Sequence, residues 1–334
     1  MDYFDFNVPI PELDQTSAVA YSERPGPSGS IPVTISTAFQ PNVHVDNLRP
    51  DIVLTSSDNV FFYVCLHRLL AASDNGFNSL LPPPSVSDEF TPVIDLPESA
   101  DVLNVVLHSI HNWDASCFAP SYETLSAAIA VLVRYGMQPK RMILPTTSLF
   151  SLLLAQAPLQ PIDAYALAAS YDLGELAVAI SPHLLAYQLP SLTDEVSKRI
   201  GAVYLKRLFF LHNGRMDALG RLLLHPPQPH PETPECDNEQ QRKLTRAWAL
   251  ASAHLVWDAR PDLSTYLLQA SLTPLERELS CDLCKLSLRE RISTLVMEWS
   301  AVKVSVLIMK LRHVSKDDLI AENHLNGTTS ADQL

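Results

Sequence analysis

The stretch that decides the fold is DIVLTSSDNVFFYVCL, residues 51–66. Two β-rich runs, Ile52-Val53-Leu54-Thr55 and Val60 to Val64, flank Ser56-Ser57-Asp58-Asn59, whose short polar side chains favour a turn, so the stretch reads as a hairpin. From His67 the pattern becomes helical through HRLLAASDNGFNSLL and stops at Pro82-Pro83-Pro84, because three prolines fix φ and supply no backbone donors. A third short run, PVIDL, follows, and then a helix in which Leu103, Val106, Leu107 and Ile110 share one face.

From Ser121 onward almost every segment has helical spacing: ETLSAAIAVLVRYGM, SLFSLLLAQA, DAYALAASYDL and ELAVAISPHLLAYQL. Ser191 and Asp194 have the spacing of a capping box ahead of EVSKRIGAVYLKRLFFLH, where Ile200, Tyr204, Leu208 and Leu211 line one side. The proline-rich stretch HPPQPHPETPEC, residues 225–236, interrupts the helices and reads as a linker or exposed loop. Beyond it Leu244, Trp248, Ala251 and Leu255 repeat at helical spacing, and a last long helix is expected from about Leu286 to Leu311. The fold class is therefore α+β: a short three-stranded sheet with helices, followed by an all-helical C-terminal region. The organisation expected is a disordered proline-rich tail at 1–47, an α+β domain at 48–175, a helical extension at 176–224, a proline-rich loop at 225–240, a helical region at 241–313 and a flexible tail at 314–334.

Composition excludes several function classes. Of the 334 residues 47% are hydrophobic and 18% charged, the balance of a chain that folds. A net charge of -13 is unsuited to a phosphate backbone, so nucleic acid is not expected as a partner. The acidic, proline-broken start MDYFDFNVPIPELD has neither a basic n-region nor an apolar h-region, so secretion is not expected, and no run approaches the ~18 apolar residues of a membrane span. The expectation is an intracellular protein, cytoplasmic or nuclear, with reduced thiols, in which the sequon Asn326-Gly327-Thr328 is a chance match. The chain has neither G-x-x-x-x-G-K-[ST] nor G-x-G-x-x-G, and no H-E-x-x-H or G-x-S-x-G, so catalysis is not expected; an intracellular enzyme of unrecognised type is the last of three readings.

The order of elements over 48 to about 175 resembles the BTB/POZ domain. The residues that carry the resemblance are Asp51-Ile52-Val53-Leu54, Phe62-Tyr63-Val64, and Leu69-Leu70-Ala71-Ala72-Ser73 with Phe77. Two departures stand out: Cys65 occupies the usual His position, with His67 two residues later, and His111-Asn112-Trp113-Asp114 replaces the usual aromatic-Thr-Gly turn. The wording SSDNVFFYV, LLAASDNGFNSLLP, LAASYDL, VYLKRLFFLHNGR and SCDLCK is similar to BTB-domain proteins of mushroom-forming fungi. The resemblance implies a non-catalytic protein-interaction adaptor or scaffold that forms a homo-oligomer through this domain and, in some relatives, delivers a client to a cullin-type ubiquitin ligase. The bland alternative to self-association is that the C-terminal helices cover the exposed apolar face within one chain.

Cys281-x-x-Cys284 carries the most specific chemistry. Two thiolates at that spacing occupy adjacent vertices of a zinc tetrahedron, and Cys236 with either His230 or His225 would complete a structural zinc site that pins the proline-rich loop. This gives the second functional reading, a zinc-stabilised helical recognition module that holds a client. The competing reading treats both cysteines as small core residues sharing a helix face. Leu288, Ile292, Leu295, Trp299, Val302, Val306 and Met309 alternate steps of four and three, the seam of a coiled coil or of an amphipathic helix docked on the protein's own core.

Overall fold

The computed structural model describes residues 34–81 and 91–305. Its sheet has four strands, β1 (Thr34–Ile35), β2 (Ile52–Thr55), β3 (Val60–Val64) and β4 (Val93–Asp95), in the order β1-β3-β2-β4. The hairpin forms as its sequence dictates: β2 and β3 are antiparallel, Ile52 opposite Val64 and Thr55 opposite Phe61. Asn59, at the end of the turn, takes the left-handed conformation (φ 61°) that asparagine tolerates. β4 runs parallel to β2, with Val53 opposite Val93. β1, parallel to β3, is a strand the sequence did not announce.

That strand changes the picture of the N-terminus. Residues 34–47 were expected inside a disordered tail, yet Phe39 lies 1% exposed in the core and its carbonyl accepts the Tyr63 N–H at 3.0 Å. Proline density hid a single well-anchored aromatic side chain. Residues 1–33, 82–90 and 306–334 lie outside the described residues, as do the rest of the expected N-terminal tail, the triple proline and the expected C-terminal tail.

Helix α1 (Leu66–Ala72) ends earlier than its apolar pattern suggests. Ser73 breaks it, and α2 (Gly76–Ser79) is one turn with positive φ at each of its four residues. The Ser73 hydroxyl holds this turn by accepting the Phe77 N–H at 2.7 Å and donating to the Tyr135 carbonyl at 2.6 Å. The Phe77 ring then stacks on Tyr135 with centroids 4.0 Å apart. Side-chain burial and hydrogen bonds thus outweigh the cost of a left-handed backbone.

Helices α3 (Ala100–His111), α4 (Tyr122–Arg134), α5 (Pro139–Met142), α6 (Ser148–Ala155), α7 (Pro161–Ser170) and α8 (Gly174–Ile180) complete the first core. The core does not stop at residue 175. Leu176, Ala177 and Ile180 of α8, and Ile200, Tyr204 and Leu208 of α9 (Asp194–Leu223), belong to it, and the Tyr165 hydroxyl donates to the Tyr204 carbonyl at 3.0 Å. The cap of α9 is Thr193, whose hydroxyl accepts the Val196 N–H, and not Ser191, which is taken up in a preceding turn and bonds the Gln188 carbonyl. Gly201 interrupts α9 with φ 73°, a value glycine adopts freely.

A second core forms between the far half of α9 (Leu219, Leu223), α10 (Asn238–Asp258), α11 (Thr265–Leu272) and α12 (Asp282–Ser300). α12 stops at Ser300, short of the expected Leu311. Leu288, Ile292, Leu295 and Trp299 are buried in this core, so the seam docks on the protein's own helices, while Val306 and Met309 lie outside the described residues. The architecture is mixed and mostly helical around a small sheet, compatible with the α+β class.

Candidate metal centre

Four residues from a loop and a helix start converge at the edge of the second core. His230 and Cys236 come from the proline-rich segment, and Cys281 and Cys284 from the N-terminal end of α12, where Cys281 is the residue preceding the first turn. Their ligand atoms all lie within 4.8 Å of one another. His230 Nε2 is 3.3 Å from both the Cys281 and the Cys284 Sγ, and the Cys236 and Cys284 sulfurs are 3.7 Å apart. A tetrahedral centre with Zn–S about 2.3 Å and Zn–N about 2.0–2.1 Å requires S···S of about 3.8 Å and S···N of about 3.5 Å. The side chains present fit a four-coordinate ion.

Local structure explains why they meet. Thr233 and Cys236 exchange backbone hydrogen bonds of 3.0 and 3.1 Å across Pro234-Glu235, a tight turn that points Cys236 inward. Asp237 then caps α10 by accepting the Gln240 N–H at 2.8 Å. Prolines leave the loop with few donors, so its carbonyls are served by side chains from the helices. Ser287 donates to the Gln228 carbonyl at 2.7 Å, Gln241 to that of His230 at 3.0 Å, and Arg291 to those of Leu222 and His225 at 2.5 and 2.9 Å. His225 meets α12 through its backbone, and of the two histidines weighed in the sequence it is His230 whose ring stands beside the sulfurs.

Imidazole orientation is also set. His230 Nδ1 lies 2.7 Å from the Pro231 carbonyl, which can only accept, so Nδ1 donates there and Nε2 is the ring atom that faces the sulfurs. The thiols differ in acidity. Backbone N–H groups of Cys284 and Leu283 at the helix start and the neighbouring Cys236 lower the Cys281 thiol to about 7, with the Cys284 N–H the largest influence. Burial, then the adjacent sulfurs, raises Cys284, and burial raises Cys236. A cluster of three thiols of which two resist ionisation is the arrangement that a dication relieves, since metal binding takes thiolates and releases their protons.

The Asp51 carboxylate accepts the Leu66 N–H at 2.6 Å and so opens α1; Val64, Leu69 and Phe77 are buried; Leu70 is exposed. Cys65 is buried and lies away from the cluster, with its Sγ near the Arg49 carbonyl at 3.7 Å. Sequence reasoning missed the buried Glu98, whose carboxylate meets the exposed Arg134 at 2.5 Å and accepts from Tyr135; nothing in the local pattern marks Glu98 as buried. It missed Arg215 as well, a buried guanidinium lying 4.3 Å from the Trp299 ring.

Among the described residues no helix is long and apolar enough to cross a membrane. No family model, curated protein or solved structure matches this chain.

Proposed function

We propose that the protein is a non-catalytic protein-interaction adaptor or scaffold whose C-terminal helices form a recognition module held together by a structural zinc ion on His230, Cys236, Cys281 and Cys284. The observation that carries this reading is the convergence of three sulfurs and one imidazole nitrogen at tetrahedral separations. Three thiolates and a histidine select zinc among the common dications, because soft sulfur ligands disfavour magnesium and calcium. Four protein ligands close the coordination sphere, so the ion supplies rigidity and no reactive water. It fastens the loop 225–236 to the start of α12, and thereby α9 to α10, the frame on which a client would be held.

The N-terminal unit is compatible with the α+β class, and the resemblance of its sequence to the BTB/POZ domain is what supports self-association through it, with proteins as the partners. Sedimentation equilibrium tests this part: a dimer at tens of micromolar, on the order of weak-dimer affinities, is expected, and a strictly monomeric chain refutes it. Elemental analysis of protein purified without chelator tests the metal. About one zinc per chain is expected, lost in Cys281→Ser with self-association intact. Less than about 0.2 zinc per chain in fresh wild-type protein refutes the reading.

A further inference from the structure

The three thiols of the cluster differ in access. Cys236 and Cys284 are 1% and 4% exposed, whereas Cys281, the residue that precedes the first turn of α12, is the partly exposed one. A small oxidant arriving from solvent therefore meets the Cys281 sulfur first, and thiol oxidation follows access of this kind. A second sulfur stands ready beside it. Cys281 and Cys284 share one closed turn, in which the Lys285 N–H donates to the Cys281 carbonyl at 3.1 Å, and both sulfurs lie 3.3 Å from His230 Nε2. Three residues of helical turn separate Cα atoms by about 5 Å, inside the range of about 4.4–6.8 Å that a disulfide spans. The two sulfurs are within 4.8 Å of each other, so rotation of two side chains closes the bond without moving the backbone.

Cys236 is the competing partner, with its sulfur 3.7 Å from that of Cys284. It belongs to a different segment, however, while Cys284 stays within reach of Cys281 whatever the proline-rich loop does. The choice matters for the outcome. A bond from Cys236 to α12 would fasten the loop covalently; a bond within α12 withdraws two of the four ligands and leaves the loop with none of the sulfurs it was tied to.

We infer that Cys281 and Cys284 are an oxidation site, which hydrogen peroxide converts to a disulfide that opens the metal cluster. The Cys281 thiolate attacks one peroxide oxygen: an S–O bond forms, the O–O bond breaks and hydroxide leaves. The Cys284 thiolate then attacks the Cys281 sulfur: the S–S bond forms, the S–O bond breaks and the second hydroxide leaves. Two thiolates have given up two electrons, peroxide has taken them, and protons from the medium turn both hydroxides to water. The loop keeps the bonds of Ser287 and Arg291 to its first residues but loses its fastening to α12 at His230 and Cys236. This deepens the zinc reading and rests on it for release of the ion; the disulfide itself needs only the two sulfurs.

The test uses the full chain purified without chelator, with Cys117→Ser introduced so that this solitary exposed thiol consumes no peroxide. Zinc is measured before and after hydrogen peroxide in molar excess, and the remaining thiols are alkylated before tryptic mass mapping. Residues 278–285 form one tryptic peptide holding Cys281 and Cys284, and residues 222–242 form another holding Cys236. The 278–285 peptide should be two hydrogens lighter and unalkylated, and Cys236 should be alkylated. Zinc should fall from about one to below about 0.2 per chain, and dithiothreitol with added zinc should restore it. Cleavage after Glu232 by a glutamate-specific protease should become severalfold faster on oxidation. Cys236 joined to either cysteine of α12 overturns the inference, as does a disulfide that leaves zinc content and cleavage unchanged. The two readings fail separately: zinc present with both thiols surviving peroxide refutes the oxidation site alone, and a zinc-free chain that still forms the disulfide refutes the zinc reading while supporting the oxidation site.

Discussion

Replacing Phe39 by alanine removes a side chain on which the first core depends, although it lies in a segment that reads as a tail. Its ring stacks on Trp113 with centroids 5.3 Å apart and planes at 20°, and meets the edge of His108 at 5.1 Å. Phe62 and His111 stand at 6.0 and 5.4 Å. The backbone bonds from Tyr63 N–H to the Phe39 carbonyl and from Phe39 N–H to the Ser36 hydroxyl survive the substitution, so the loss belongs to the side chain. A fully buried Phe→Ala change costs about 3–5 kcal/mol, of which each well-placed ring pair supplies about 0.5–1.5 kcal/mol. At about 2–4 °C per kcal/mol for a unit of this size, the melting temperature of the N-terminal core should fall by about 6–20 °C. Near-ultraviolet circular dichroism, which reports the Trp113 environment, is the assay. A shift below about 2 °C would refute the reasoning and return residues 34–47 to a dispensable tail.

Ser73→Ala should cost about 1–3 kcal/mol, because it leaves the buried Phe77 N–H and the Tyr135 carbonyl without their partner; the urea midpoint measures it, and an unchanged midpoint contradicts the account of the left-handed turn. Burial holds His108, His111 and His212 below their ordinary pKa of 6.5, so the unfolded chain takes up protons first as the medium is acidified. Their contribution to stability is complete above about pH 6.5 and declines below it until the folded-state values are reached, so the denaturation midpoint should be lower at about pH 5.5 than at about pH 7.5. A chelator should loosen the C-terminal helices while leaving the near-ultraviolet signal of the Phe39 and Trp113 cluster in place, because the two cores are separate clusters of buried residues; a signal lost together with the metal would contradict that separation.

The hairpin was legible because two β-rich runs flank four turn-forming residues, a signal contained within fifteen positions of sequence. β1 was not legible. Its two residues pair with Val60 and Phe61, far along the chain, and no local period announces so short a strand. The break of α1 at Ser73 followed from tertiary contacts with Tyr135, which outweigh the continuing apolar pattern of LLAASDNGFNSLL. In the candidate metal cluster the three cysteines could be named from spacing and composition, since C-x-x-C places two thiols together and Cys236 closes the proline-rich loop. The choice between His230 and His225 could not, because it turns on which residue offers its ring and which its carbonyl, and Arg291 decides that by taking the His225 carbonyl. A groove on α10 was hidden for a related reason: the period of Leu244, Trp248 and Leu255 marks one apolar face, and nothing local marks Val256 and Trp257 as the wall of a groove until Leu224 and Met216 stand opposite.

X-ray absorption at the zinc edge, on full-length protein purified without chelator, bears most directly on the central claim. The account predicts three sulfur neighbours at about 2.3 Å and one nitrogen at about 2.0–2.1 Å, with one sulfur lost in Cys284→Ser. An absence of zinc, or a shell of oxygen and nitrogen without sulfur, would contradict it.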